Sequence, residues 1–128
     1  MKKKSFILLT PILLALTTPV YAEQVYCPPD KVIHCTNGAC SLDAPYSDAW
    51  SISVVGMPTG NVFFGAAAIQ NPPAKADCMT GSSYGNFLHL YSNLSYSPDT
   101  SAAGSQWVAY PGNMYICQAF DVRACPMK

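Results

Sequence analysis

Six cysteines stand at positions 27, 35, 40, 78, 117 and 125 of a 128-residue chain, and they constrain the fold more than any other feature. An even cysteine count in a short chain reads as a disulfide framework if the chain is exported, and as a metal or redox motif if it stays in a reducing cytosol. The N-terminus decides between the two. Lys2, Lys3 and Lys4 make a basic start, Phe6 to Leu16 an apolar stretch broken by Thr10 and Pro11, and Val20-Tyr21-Ala22 ends in the small residue a signal peptidase requires. This pattern predicts a signal peptide over 1–22, cleaved after Ala22. A retained anchor is disfavoured, because the apolar stretch is about a dozen residues and a span needs about 20. A lipid anchor is disfavoured too, since Cys27 lacks a Leu-x-x-Cys approach and lies past the cleavage site. Residues 23–128 then suit one domain, small enough for cross-links to matter.

The stretch "IHCTNGACSL" (Ile33 to Leu42) sets two cysteines symmetrically about Asn37-Gly38. Both central residues of a type I′ turn need positive φ, which Asn tolerates and Gly adopts freely. Cys35 then faces Cys40 in a non-hydrogen-bonded pair, whose Cα atoms lie about 4.5 Å apart, within disulfide range. The prediction is a hairpin tied by a Cys35–Cys40 bridge. A zinc site would need a second ligand pair, and only His34 stands near the first. A redox motif would want Cys-x-x-Cys opening a helix, where the helix dipole lowers a thiol pKa. For the other four cysteines the expected bridges are Cys78–Cys117 and Cys27–Cys125, the latter joining the chain ends. The competing choice is Cys117–Cys125.

After cleavage, four bases (Lys31, Lys75, Arg123, Lys128) face seven acids, a net charge of −3. With no basic cluster, neither counterion release on nucleic acid nor a polybasic membrane contact is available. The longest later apolar run, Val62 to Ile69, is too short to span a bilayer. The expected product is exported, periplasmic or secreted.

Trp50 to Val54, Val62 to Ile69, Phe87 to Tyr91, Gln106 to Tyr110 and Met114 to Cys117 read as strands between Gly- and Pro-rich turns. A helical reading of Val62 to Ile69 is opposed by Val62-Phe63-Phe64 and Gly65. With the hairpin, the fold class is mainly β: a small single-domain antiparallel sandwich or open barrel stabilised by disulfides. A helical turn is expected within Asp43 to Ala49. Asn71 to Ser83 and Ser97 to Ser105 read as long polar loops, the second mobile and unpinned by any cysteine.

The ionisable inventory offers little for catalysis. His34 and His89 are the only histidines, both expected to be structural, and the acids are scattered in turns. No hydrolase, metal or cofactor motif is present in the sequence, so no catalytic residue, metal or cofactor is assigned. Aromatic residues are plentiful, and Tyr combines a stiff apolar body with a polar end that suits protein interfaces and sugars alike. Tyr84, Asn86, Tyr91, Asn93 and Tyr96 cluster around one predicted strand and form the candidate binding patch. The partner is an unknown protein or glycan. The alternatives are a protease or hydrolase inhibitor presenting a rigid loop such as Asn71 to Ser83, and a small hydrolase using His34 or His89.

The order "YCPPDKVIHC", "NGAC", Trp50, Cys78, "LYSNLSYSPD", Trp107, "YIC" and "ACP" resembles small exported bacterial proteins classed as a domain of unknown function, DUF3757. The resemblance covers nearly the whole processed chain. It implies a one-domain secreted or periplasmic protein and brings no catalytic residues with it.

Overall fold

The computed structural model describes residues 23–128; the predicted signal peptide over 1–22 lies outside the described residues. Strands β1 (Ile33–Thr36) and β2 (Ala39–Leu42) form the expected hairpin. Asn37 and Gly38 have φ of 48° and 84°, as a type I′ turn requires. Cys35 faces Cys40 in register, their Cα atoms 4.1 Å apart, and the two are bridged.

A single helical turn, α1 (Tyr46–Ala49), leads into β3 (Trp50–Val55), followed by β4 (Phe63–Gln70), β5 (Ala74–Ser83), β6 (Asn86–Tyr96), β7 (Trp107–Tyr110) and β8 (Met114–Gln118). These six strands make one antiparallel sheet in the order β3-β6-β5-β4-β8-β7. Strands β4, β5 and β6 are joined as successive hairpins while β3 lies beside the last of them, a Greek-key arrangement. The protein is therefore mainly β, built from a two-stranded and a six-stranded antiparallel sheet, with no closed barrel among the described residues.

One face of the large sheet holds the core. Alternation with period two sends Trp50, Phe64, Ile69, Ala76, Cys78, Leu88, Leu90, Trp107 and Cys117 to the same side. The covering layer comes from the hairpin, which contributes Ile33 and Cys35, and from the two chain ends, which contribute Cys27, Cys125 and Met127. Val25 and Met127 exchange backbone hydrogen bonds of 2.8 Å, and the Trp107 indole N–H donates to the Pro126 carbonyl at 2.7 Å. The segment around Val25 is thus joined to the C-terminus by backbone pairing.

Three expectations are corrected. Asn71 to Ser83 is mostly strand: β5 sits in the interior of the sheet with Ala76, Cys78 and Thr80 buried, so the loop assigned to an inhibitor does not exist. Second, the other two bridges are Cys27–Cys78 and Cys117–Cys125, not the expected Cys78–Cys117 and Cys27–Cys125, so of the expected alternatives the competing Cys117–Cys125 choice is the one that forms. The reason is register. Ala67 on β4 faces Cys78 on one side and Cys117 on the other, which sets those cysteines two strand spacings apart, roughly 9.5 Å, beyond the ~7 Å limit for bridging. Third, Ser97 to Ser105 is pinned without a cysteine. Ser97 exchanges hydrogen bonds with Lys128, the Asp99 N–H donates to Pro126, and the Asp99 side chain is buried under Gln24 and Ser101.

Candidate functional site

The outward face of the six-stranded sheet breaks the usual rule for antiparallel sheets, in which the solvent side is polar. The row Ser51–Tyr91–Asp77–Ala68–Ile116–Val108 crosses all six strands. Beside it run Ser53–His89–Met79–Ala66–Gln118 and Val55–Phe87–Gly81–Phe63. Phe63, Val108, Val55 and Tyr91 are solvent-exposed. An apolar, aromatic surface is therefore open on one side of the molecule.

Its centre is a ladder along β6. Phe87 and His89 meet edge to face with ring centroids 5.5 Å apart, and His89 lies parallel to Tyr91 within 9° at 5.6 Å. Gly81 stands opposite Phe87, and a Cβ there would come within 2.8 Å of the Phe87 Cβ. The glycine makes room for the ring. His89 Nδ1 is fixed by Asp77, at 2.9 Å from one carboxylate oxygen and 3.1 Å from the other. This bond holds the imidazole upright between its two aromatic neighbours.

The same pair decides what chemistry the face supports. A carboxylate on Nδ1 is the orientation a catalytic histidine needs, and Ser53 faces His89 across the β3–β6 ladder. Among the described hydrogen bonds none joins Ser53 to His89. The neighbouring backbone N–H groups are spent in the sheet, so the face offers no oxyanion-binding donors. His34 is similar: its Nε2 lies 3.0 Å from both Asp43 oxygens on the exposed side of the hairpin. Among the described residues no three His, Cys, Asp or Glu side chains gather as metal ligands.

The five residues of the sequence-derived patch are dispersed. Tyr91 belongs to the ladder, and Tyr84 is fully exposed at the β5–β6 turn, beyond the Phe87 end of the face. Asn86 and Asn93 serve the backbone. The Asn86 side-chain oxygen accepts from Met57 N–H at 3.0 Å and its amide donates to Ser83 at 2.9 Å; the Asn93 amide donates to the Asp48 carbonyl at 2.9 Å. Tyr96 lies at the opposite end of β6, packed against the core. Sequence reasoning missed Phe87, His89, Asp77, Ile116 and Val108 as members of one surface. The signal was the period-two set Phe87, His89, Tyr91, masked because Leu88 and Leu90 make the alternate face equally apolar.

Two concave regions accompany the face. One, about 540 Å³, lies between the hairpin and β4 and is lined by Asp30, Lys31, His34, Thr36, Asn61 and Phe63 among others. Burial pushes the Asp30 carboxyl up, and the Phe64 N–H that donates to it at 3.0 Å pulls it back. A second cleft, about 380 Å³, lies where the N-terminal segment meets α1 and the ends of β3 and β6, lined by Glu23, Gln24, Tyr26, Tyr46, Trp50 and Tyr96 among others. Here the Tyr26 hydroxyl donates to the Gln24 side-chain oxygen at 2.9 Å, and the Gln24 amide donates to Asp99 at 2.8 Å. Those bonds, with the Ser101 hydroxyl and Lys128, hold the Asp99 carboxyl below the usual carboxylate range.

No family model, no curated protein and no solved structure matches this chain.

Proposed function

We propose that the protein is an exported recognition module that binds another protein through the outward face of its six-stranded sheet. Export is supported by the N-terminal pattern together with three disulfides that leave no free cysteine, since such bridges persist in oxidising compartments. Among the described residues no helix is long and apolar enough to cross a membrane.

The observation that carries the reading is the Phe87–His89–Tyr91 ladder on an open sheet face. Of the two partner classes, protein is favoured over glycan by ring orientation. Parallel rings 5.6 Å apart turn their faces toward each other, so the solvent side meets ring edges and not the flat faces on which a sugar stacks. Ring edges flanked by Val108, Ile116 and Phe63 suit the apolar side chains of a protein, with Asp77 and His89 as the polar centre.

Capture from the exported fraction tests this. The disulfide-intact protein is expected to retain a discrete partner, and Tyr91→Ala with His89→Ala to weaken retention at least tenfold while leaving the thermal midpoint within a few degrees. Unchanged retention by the double variant would overturn the assignment of this face. Retention that survives there but disappears on changing Tyr84 would move recognition to the β5–β6 turn.

A further inference from the structure

From the 380 Å³ cleft at the chain-end corner we infer a second binding site, independent of the sheet face, for a small organic cation such as a quaternary ammonium group. Four of its lining residues are aromatic, Tyr26, Tyr46, Trp50 and Tyr96, and Glu23 is the one charged residue among its described lining. Aromatic faces attract cations through their negative quadrupoles, most strongly Trp and Tyr, and a desolvated site strengthens the attraction. A carboxylate at the rim adds the matching charge. Among the described residues no Lys, Arg or His lines the cleft; of the bases near this corner, Lys128 is held by Asp99 at 3.6 Å and Arg123 by Asp121 at 2.8 Å.

The polar groups favour a cation over a sugar. A sugar would also draw on planar donors, and the one side-chain amide in the described lining, Gln24, is already committed at both ends, to Tyr26 and to Asp99, which leaves the Glu23 carboxylate, an acceptor that matches a cation. Those bonds also anchor the Tyr26 side chain, so one wall of the cleft is set before any ligand arrives. Tyr46 and Tyr96 are half-buried and packed against the core, and Trp50 is almost fully buried, so the floor and sides are stiff. A site of this kind binds without a large ordering cost. Cleavage after Ala22 would leave an α-ammonium on Glu23, a competitor for the same carboxylate.

The test is a titration of tetramethylammonium chloride into the processed, disulfide-intact protein, read by tryptophan fluorescence and by amide NMR shifts. Sodium chloride serves as the ionic control and neopentyl alcohol as the neutral isostere. Saturable perturbation centred on Trp50, Tyr46 and Tyr96 is expected with tetramethylammonium alone. Tyr46→Ala should weaken it at least tenfold and Glu23→Gln several-fold, while Tyr91→Ala on the sheet face leaves it unchanged. Because Glu23 is exposed, E23Q keeps its fold and gives a clear reading even if Tyr46→Ala is destabilised. An equal response to neopentyl alcohol, no saturable response, or an E23Q variant with unchanged affinity would each overturn the site.

Discussion

Removing the Cys27–Cys78 bridge should cost more stability than removing either of the others, and the structure supplies the comparison. The bridge closes a segment with a sequence separation of 51, against 8 for Cys117–Cys125 and 5 for Cys35–Cys40. On the chain-entropy relation these lengths correspond to about 4.1, 2.5 and 2.1 kcal/mol at 25 °C. Cys27, Cys78, Cys117 and Cys125 are all essentially inaccessible to solvent, so paired Cys→Ala variants at the two longer bridges leave similar packing defects. The difference between them, about 1.6 kcal/mol, therefore isolates loop length. Urea titration of C27A/C78A and C117A/C125A measures it, and the first variant should also show the larger m-value, because its unfolded chain is less compact. With an unfolding entropy of about 0.22 kcal/mol per kelvin for a domain of this size, C27A/C78A should melt about 18 °C below the parent. Equal losses from the two variants, or a larger loss from C117A/C125A, would refute the entropic argument. It would place the stabilisation in the C-terminal docking that Cys125 holds.

Other consequences follow from single contacts. Trp107→Phe removes the indole N–H that reaches the Pro126 carbonyl at 2.7 Å and leaves that carbonyl with the Asp99 N–H alone, and should cost about 0.5–1.5 kcal/mol in chemical denaturation. Gly56→Ala should be much worse than Gly112→Ala: both glycines have positive φ, but a Cβ at Gly56 would collide with the Gly85 carbonyl, whereas Gly112 has open space. Equal melting points for the two would show that backbone strain alone governs both sites. Asp99 titrates below the usual carboxylate range because Gln24 and Ser101 donate to it. A depressed folded pKa contributes stability that is present above the unfolded value near 3.8 and is lost as pH falls through the folded one. Asp99→Asn should therefore lower stability at neutral pH and flatten its decline below about pH 4, as thermal melts across that interval would reveal.

Much of this fold was legible in the sequence where local chemistry fixes geometry. Asn37-Gly38 with flanking cysteines specifies a tied hairpin without help from the rest of the chain. Strands β3, β4, β6, β7 and β8 announce themselves by branched and aromatic residues. Strand β5 does not, because its inward residues, Ala76, Cys78 and Thr80, are small or polar and Lys75, Asp77 and Gly81 interrupt them. What makes it a strand is its position between β4 and β6. The disulfide partners were hidden for a similar reason: whether Cys78 can reach Cys117 depends on Ala67 lying between them, a fact of sheet order. The binding surface was partly legible. Tyr91 was found, but its neighbours come from five other strands that only the register brings together. Asn86 and Asn93 join the candidate patch because they cluster with the tyrosines around one predicted strand, yet both hold backbone groups at the sheet ends.

The most direct test of the recognition face is photo-cross-linking in the cells that make the protein, with a benzophenone amino acid placed at Val108 or Tyr91 on the outward face and at Lys31 or Ser47, exposed residues outside the six-stranded sheet. One discrete adduct is expected from both outward positions, lost when His89 is changed to Ala, and none from the control positions. Adducts from Lys31 and Ser47 with none from Val108 and Tyr91 would contradict it and assign recognition to the hairpin side of the molecule.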